Sequence, residues 1–298
     1  MTDLSGIARL RAEYHAFIRD KIIRITPGGV FGDGYPNFAD GNSKTSVAIA
    51  NGIHQKLLQS TVQSTGMFID SVAGQTKGDK FEDATLLFVQ KSFDLLAHLR
   101  PGKWRFAADQ SIASFDQYRH LAYLNQALER DKALKAMLGA SGDYIVKPDI
   151  IVARLPVSDD QINMHDLVID KKDKYASNTR LRERNNPAHL LLHASISCKW
   201  TIRSDRTQNT RTEALNLIRN RKGNLPHIVA VTAEPMPTRI ASIALGTGDL
   251  DCVYHFALHE LRDSLVELEN EDQLDMLDVM IDGMRLRDIS DLPFDLAT

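Results

Sequence analysis

Apolar side chains recur in this sequence with two different periods, and each change of period marks a new element. Between Leu4 and Ile25 they fall every three or four positions, at Leu4, Ile7, Leu10, Tyr14, Phe17, Ile18 and Ile22, which predicts an amphipathic helix. The same spacing predicts helices over Ser46–Thr61 and Asp79–Leu99, the second burying Phe81, Leu86, Phe88, Val89, Phe93 and Leu96. Between the first two lies Thr26–Lys44, a loop punctuated by glycine and proline. Trp104–Ala107 reads as the start of a sheet, followed by helices over Ser114–Gln126 and Arg130–Leu138. Short, almost continuous apolar runs then predict buried strands at Tyr144–Ala153, Leu190–Lys199 and Pro226–Val231. Pro148 cannot donate to a ladder, so the first of these should break there and present Asp149 at the kink. Val157–Pro187 is polar, lacks periodicity and reads as an excursion beyond the sheet. A helix is expected near Arg211–Lys222, and late helices over Cys252–Leu265 and Gln273–Ile281. The whole is expected to form one domain over residues 1–298, its catalytic core spanning roughly residues 79–260, with N-terminal helices and acidic C-terminal helices packed on it.

Composition narrows the class without deciding it. The 298 residues, 43% hydrophobic and 25% charged, suit a soluble globular protein. No apolar run approaches the ~18–20 residues that would cross a bilayer, and Met1-Thr2-Asp3-Leu4-Ser5 lacks a basic start followed by an apolar block. Two cysteines, Cys198 and Cys252, make no disulfide framework and fit a reducing cytoplasm.

Charge changes the picture more. The net charge of −3 argues against a polyanionic partner until its distribution is considered. Glu260–Thr298 holds twelve acids and three bases, so the preceding residues carry a net +6. Within these, Lys199–Lys222 has seven Lys/Arg against two Asp/Glu. Local field decides where a phosphate backbone docks, and this segment can meet one. The acidic C-terminal stretch reads as a solvated helical face.

That basic segment opens with Lys199 at the end of a buried strand, where its ammonium is held in a fixed place. Asp149 and Lys199 together suggest phosphodiester chemistry, with a hard carboxylate for Mg2+ and a cation for developing phosphate charge. The usual nuclease signature puts an acid two residues before the lysine, but here that position is Ser197. Glu213, fourteen residues after Lys199, could return a carboxylate through space. By itself this constellation is weak.

Other features weigh less. The glycines of Thr26–Lys44 follow no strand and precede no Gly-Lys-Ser/Thr, which excludes a nucleotide P-loop. That loop either carries Asp40 and Asn42 towards a partner or simply connects. The pairs His189/His193 and His255/His259 have four-residue spacing, and the second would share a helix face. Neither pair contains the His-Glu-x-x-His glutamate, so structural roles are favoured over zinc. Cys198 lacks a clear activating base, and Trp200 reads as core. Glu82, in the first turn of its helix, is by default a dipole partner.

Pro148-Asp149, Lys199 and Glu213, with thirteen residues between the last two, match the displaced-acid pattern of the CCGG family of type II restriction endonucleases. The stretches LLHASISCKWTIRSDR (Leu191–Arg206), NRKGNLPHIVAVTAE (Asn220–Glu234), IALGTGDLDCVYHFA (Ile243–Ala257) and DISDLP (Asp288–Pro293) resemble its NgoMIV-like members nearly residue by residue. The resemblance covers most of the chain and is weakest in the first thirty residues and in Val157–Pro187. It implies an α/β, restriction-endonuclease-like PD-(D/E)XK fold, a central mixed sheet flanked by helices. It also implies a bacterial, cytoplasmic enzyme that cuts double-stranded DNA with Mg2+, two ions per active site, leaving four-nucleotide 5′ overhangs. In that reading Asp149 and the main-chain carbonyl of Cys198 hold metal. Lys199 stabilises the scissile phosphate and orients the water, Glu213 is the displaced acid, and Glu82 and Ser197 line the pocket.

Base reading follows the same logic. Arginine can donate two bonds to guanine and aspartate can accept from cytosine, so Arg203, Asp205 and Arg206 suit consecutive C·G pairs. An isolated RSDR is otherwise a surface ion-pair cluster. The resemblance assigns these three to the central CCGG and Asp40, Gln75 and Arg239 to the outer pair, implying GCCGGC cut after the first G. Lys77, Arg221 and Lys222 are candidate phosphate contacts, which position without specifying. A palindrome implies two-fold related subunits. The resemblance adds a dimer of dimers, and a companion cytosine methyltransferase that protects host DNA. The competing readings are a DNA-binding protein without catalysis and a repair-type PD-(D/E)XK nuclease.

Overall fold

The computed structural model describes residues 4–60, 76–130, 145–186, 189–202, 204–246 and 248–298, with the side chains of residues 125, 128–129 and 204–207 outside that description. The expected helix over Arg130–Leu138 and the residues Gln75 and Arg203 therefore lie outside the described residues, Arg130 excepted.

In chain order, helix α1 (Gly6–Phe17) runs into a wider turn at Ile18–Ile22, and the short strands β1 (Ile25–Thr26) and β2 (Tyr35–Pro36) follow. Next come α2 (Lys44–Gln59), α3 (Lys77–Leu95), β3 (Trp104–Ala108), α4 (Arg119–Arg130), β4 (Ile150–Arg154) and β5 (Leu191–Lys199). The chain continues with α5 (Ser204–Asn220), β6 (His227–Thr232), α6 (Pro237–Ala244), β7 (Cys252–His255), α7 (Leu258–Glu267), α8 (Glu271–Asp282), β8 (Leu286–Asp288) and α9 (Leu292–Leu296).

Local chemistry accounts for many of these boundaries. Ser43 caps α2 by accepting from the Ser46 amide. Thr76 and Asp79 form a reciprocal capping box at the start of α3. Along α3, Phe81, Ala84, Thr85, Phe88, Val89, Ser92 and Phe93 form the buried stripe that the periodicity required. Pro148 precedes β4, so the strand starts at Ile150 rather than Tyr144.

The strands form a ribbon, β1 with β2, and a mixed sheet in the order β3-β4-β5-β6-β7-β8. β3 and β4 are antiparallel, with Trp104 opposite Arg154 and Ala108 opposite Ile150. β6, β7 and β8 pair in parallel. The architecture is α/β, as expected. No helix among the described residues is long and apolar enough to cross a membrane.

The chain forms two compact units: residues 1–100, 196–212 and 228–298, and residues 101–195 with 213–227. In the first, Phe38, Phe81 and Phe256 surround Trp200 at ring-centroid distances of 5.2–6.3 Å. Trp200 is core, as its sequence context suggested. Arg11 forks between Asp288 and Glu260 with four hydrogen bonds of 2.7–2.9 Å. Burial pushes the Glu260 carboxyl up, but the hydrogen bonds and charge of Arg11 prevail and hold it at about 2. The acidic C-terminal stretch is therefore not wholly a solvated face. Two of its carboxylates belong to the core. In the second unit, Gln117 brackets Leu192 from both sides, and His193 lies between the rings of Trp104 and His227 at 4.9 and 5.0 Å.

Three expectations need correction. Cys252–Leu265 is not one helix: Cys252–His255 is a parallel strand between β6 and β8, and α7 starts only at Leu258. A strand buried on both faces loses the alternation that would have identified it. His255 and His259 consequently do not share a helix face. The helix expected near Arg211 begins at Ser204, which brings Asp205 and Arg206 onto its first turn.

Candidate functional site

The strand β5 ends at Lys199, and the strand end with Trp200 and Ile202 after it is held by neighbours in the first unit. The Lys199 carbonyl accepts from the Thr232 hydroxyl at 2.8 Å and from the Ala233 amide at 3.2 Å. Trp200 is locked among aromatic rings, and Ile202 is buried. The Ile202 amide donates to Glu234 Oε2 at 2.9 Å. Lys199 itself is half-buried at the strand end, its main chain anchored by the two bonds to its carbonyl.

The next residues enter α5, whose first turn carries Ser204, Asp205 and Arg206. Alongside lies an open cavity of about 780 Å³, lined among others by Asp40, Thr201, Ile202, Gln208, Arg211 and Arg239. Two of the residues assigned to outer-base reading thus share one cavity with both flanks of the RSDR segment. Arg239, on α6, donates from Nη2 to Asp40 Oδ2 at 2.5 Å. Asp40 is held in turn by its own amide on Ser46 Oγ at 2.9 Å and by the Asn42 amide on its Oδ1 at 3.1 Å.

The glycine loop supplies this placement rather than a phosphate cradle. Gly34 has φ +89°, and a Cβ on Gly41 would collide with the Tyr35 ring. The loop is a folded support for Asp40.

Two residues of the cavity region escaped the sequence reading. Glu234 is only 1% exposed; its Oε1 accepts from the Met236 amide at 3.2 Å and lies 3.7 Å from Arg239 Nη1. Burial pushes its carboxyl up to about 7, against the opposing pull of the Ile202 amide and Arg239. Its signal was present in the sequence, a lone acid directly after an apolar strand and ahead of Pro235 and Pro237. Arg211 lies on α5 so close to Gly246 that a Cβ there would meet its guanidinium at 2.6 Å. Only its membership in the basic segment hinted at it.

The other expected site residues divide between the units. Ser197, Cys198 and Lys199 on β5 and Glu82 on α3 belong to the first, with Cys198 buried and the rest half-buried. Phe81, next to Glu82, packs on Trp200, next to Lys199. Asp149, half-buried just ahead of β4, and Glu213 on α5 belong to the second. Lys77 is exposed and donates to the Asn37 carbonyl at 2.9 Å. Lys222 is exposed, its amide bonded to the Gln117 carbonyl at 2.8 Å, and Arg221 donates to the Ile218 carbonyl. Among the described residues no three His, Cys, Asp or Glu side chains gather into a cage for a metal.

Residues 14–298 match the family model of the NgoMIV restriction enzyme. The chain is 50% identical over 264 residues to the type II restriction enzyme NgoMIV of Neisseria gonorrhoeae, covering 87% of this chain and 88% of that one. Among solved structures, the PspGI restriction endonuclease–substrate DNA complex aligns over 86% of this chain and 92% of its own at 15% identity. Its TM-score of 0.27 adds nothing to the family match.

Proposed function

The chain belongs to the NgoMIV family of type II restriction enzymes, and on that footing we propose that it cuts both strands of GCCGGC after the first G. The products would carry four-nucleotide 5′ overhangs with 5′-phosphate and 3′-hydroxyl ends. The observation that supports this most is the cavity at the start of α5. It gathers Asp40 and Arg239 beside the segment that contains Arg203, Asp205 and Arg206. In the proposed complex the arginines donate to guanine and the aspartates accept from cytosine. Gln75 completes the outer pair, while Lys77, Arg221 and Lys222 meet phosphates.

The proposed chemistry uses Asp149, Lys199 and Glu213 as one constellation. Asp149 and the Cys198 carbonyl are hard oxygen donors, a set that suits Mg2+, which keeps several waters and needs few protein ligands. Two such ions per site are proposed, and when bound they supply Lewis-acid polarisation of the phosphoryl oxygens. Lys199, on its anchored strand end, sets a positive charge against the scissile phosphate and orients the attacking water in line. Glu213 provides the acid that Ser197 cannot, and Glu82 with Ser197 completes the polar wall.

A palindromic target calls for two-fold related subunits, each cutting one strand. Pairing of such dimers into a tetramer is supported by the segment after β4. Met164, Leu167, Val168 and Tyr175 are 65–73% exposed there, four apolar side chains set in an otherwise charged segment, and we place the second copy of the chain on them. A bacterial cytoplasm and a protective cytosine methyltransferase complete the reading.

The test is digestion of unmethylated plasmid DNA with Mg2+ or with chelator, followed by sequencing of the ends. Discrete Mg2+-dependent fragments ending in 5′-CCGG are expected. A smear, or cutting unaffected by the chelator, overturns the proposal.

A further inference from the structure

We propose that Glu234 is a positioning residue that couples the two sets of base readers to the catalytic strand, an inference that rests on the reading just given. Its carboxylate is the junction of two chains of contacts. One oxygen holds the Ile202 amide, the residue before Arg203 and three after Lys199. The other holds the Met236 amide and faces the Arg239 guanidinium at 3.7 Å, which grips Asp40. Its own amide donates to Thr232 Oγ1 at 3.1 Å, and that hydroxyl donates to the Lys199 carbonyl. The strand end, the entry to the inner reader and the outer reader therefore converge on one buried side chain.

This arrangement has a consequence for specificity. A carboxylate at Glu234 attracts Arg239 and so opposes full transfer of that guanidinium to Asp40. A neutral side chain releases Arg239 and weakens the tie on the Ile202 amide. The charged groups around it are Arg239 from α6 and Asp40 from the loop after β2. His255 of β7 accepts from the Ala257 amide and is held neutral by burial, its pKa lowered to about 4. With its own carboxyl at about 7, Glu234 changes charge between pH 6 and 8. Discrimination should change with it.

The experiment measures single-turnover cleavage of GCCGGC, of a duplex altered at the outer pair and of one altered at an inner pair, from pH 6 to 8. Wild type, Glu234→Gln and Arg239→Ala are compared, with thermal melting as the check on folding. At pH 8 the Gln variant is expected to lose about tenfold in discrimination at both the outer and the inner pair, whereas Arg239→Ala loses it at the outer pair alone. The wild-type ratio should fall towards pH 6, and the ratio for Glu234→Gln should stay flat. Unchanged ratios in a folded Gln variant, or a wild-type ratio that is flat with pH, overturn the proposal. The wild-type arm serves even if the variant fails to fold. Failure of wild type to prefer GCCGGC at any pH instead overturns the underlying reading of the site.

Discussion

Replacing Glu234 by glutamine should make the protein less selective and remove the part of its stability that falls with rising pH. The carboxyl is 1% exposed, and burial raises its pKa from 4.5 to about 7. A group raised in the folded state contributes stability that is full below its unfolded pKa, here near 4.5, and is lost as pH rises through about 7. The loss corresponds to about 3 kcal/mol by pH 8. Glutamine has the charge of the protonated acid, but its NH2 group cannot accept, so one of the two main-chain amides that Glu234 holds, Ile202 or Met236, loses its acceptor in the variant at every pH. At pH 5 the variant should therefore be less stable than wild type by about 1–3 kcal/mol, and it should gain steadily on wild type towards pH 8. Histidines held neutral by burial, such as His15 and His255, titrate in both proteins and cancel in the difference. Urea denaturation of both proteins at pH 5, 6, 7 and 8 measures it. Parallel curves, or a variant less stable at pH 8 than at pH 5 relative to wild type, would mean that Glu234 ionises at an ordinary pKa and would refute the reasoning.

Other expectations are more direct. Asp149→Ala should reduce cleavage on the order of 10⁴-fold yet retain specific binding in a gel shift, whereas Arg206→Ala should weaken binding and selectivity together by about 1–3 kcal/mol. Leu167→Glu should shift the sedimentation of a tetramer to that of a dimer without loss of melting temperature; an unchanged sedimentation coefficient removes that segment from the assembly interface. Arg11→Met leaves Asp288 and Glu260 facing each other without their cation and should cost about 3–5 kcal/mol in denaturant unfolding at pH 7. Because Arg11 holds both carboxyls below their usual range, wild-type stability from this trio is present above about pH 4.5 and is lost as pH falls towards 2.

Much of the fold was legible because period and burial agree. The stripe on α3 and the apolar run of β5 appear in the structure within a few residues of where their side chains predicted them. The run Cys252–His255 failed for a physical reason: parallel neighbours on both sides remove alternation, and the following helix supplied a misleading continuation. α6, β8 and α9 are short and depend on packing rather than local pattern. At the site, Asp40 and Arg239 were named from resemblance and prove to be bonded across 199 positions, a proximity no spacing rule encodes. Glu234 was passed over because its place after an apolar strand and ahead of two prolines marks a buried acid without showing which groups it holds.

Asp149, Lys199 and Glu213 are proposed to serve one magnesium-bearing centre. Fe2+ substituted for Mg2+ in the complex with a GCCGGC duplex, with added hydrogen peroxide as oxidant and ascorbate to regenerate Fe2+, generates hydroxyl radicals that cut the polypeptide next to the ion, and mass spectrometry locates the cuts. Breaks close to Asp149 and Cys198, suppressed by excess Mg2+ and absent from Asp149→Ala, are predicted. Breaks elsewhere, or the same breaks in Asp149→Ala, would contradict it.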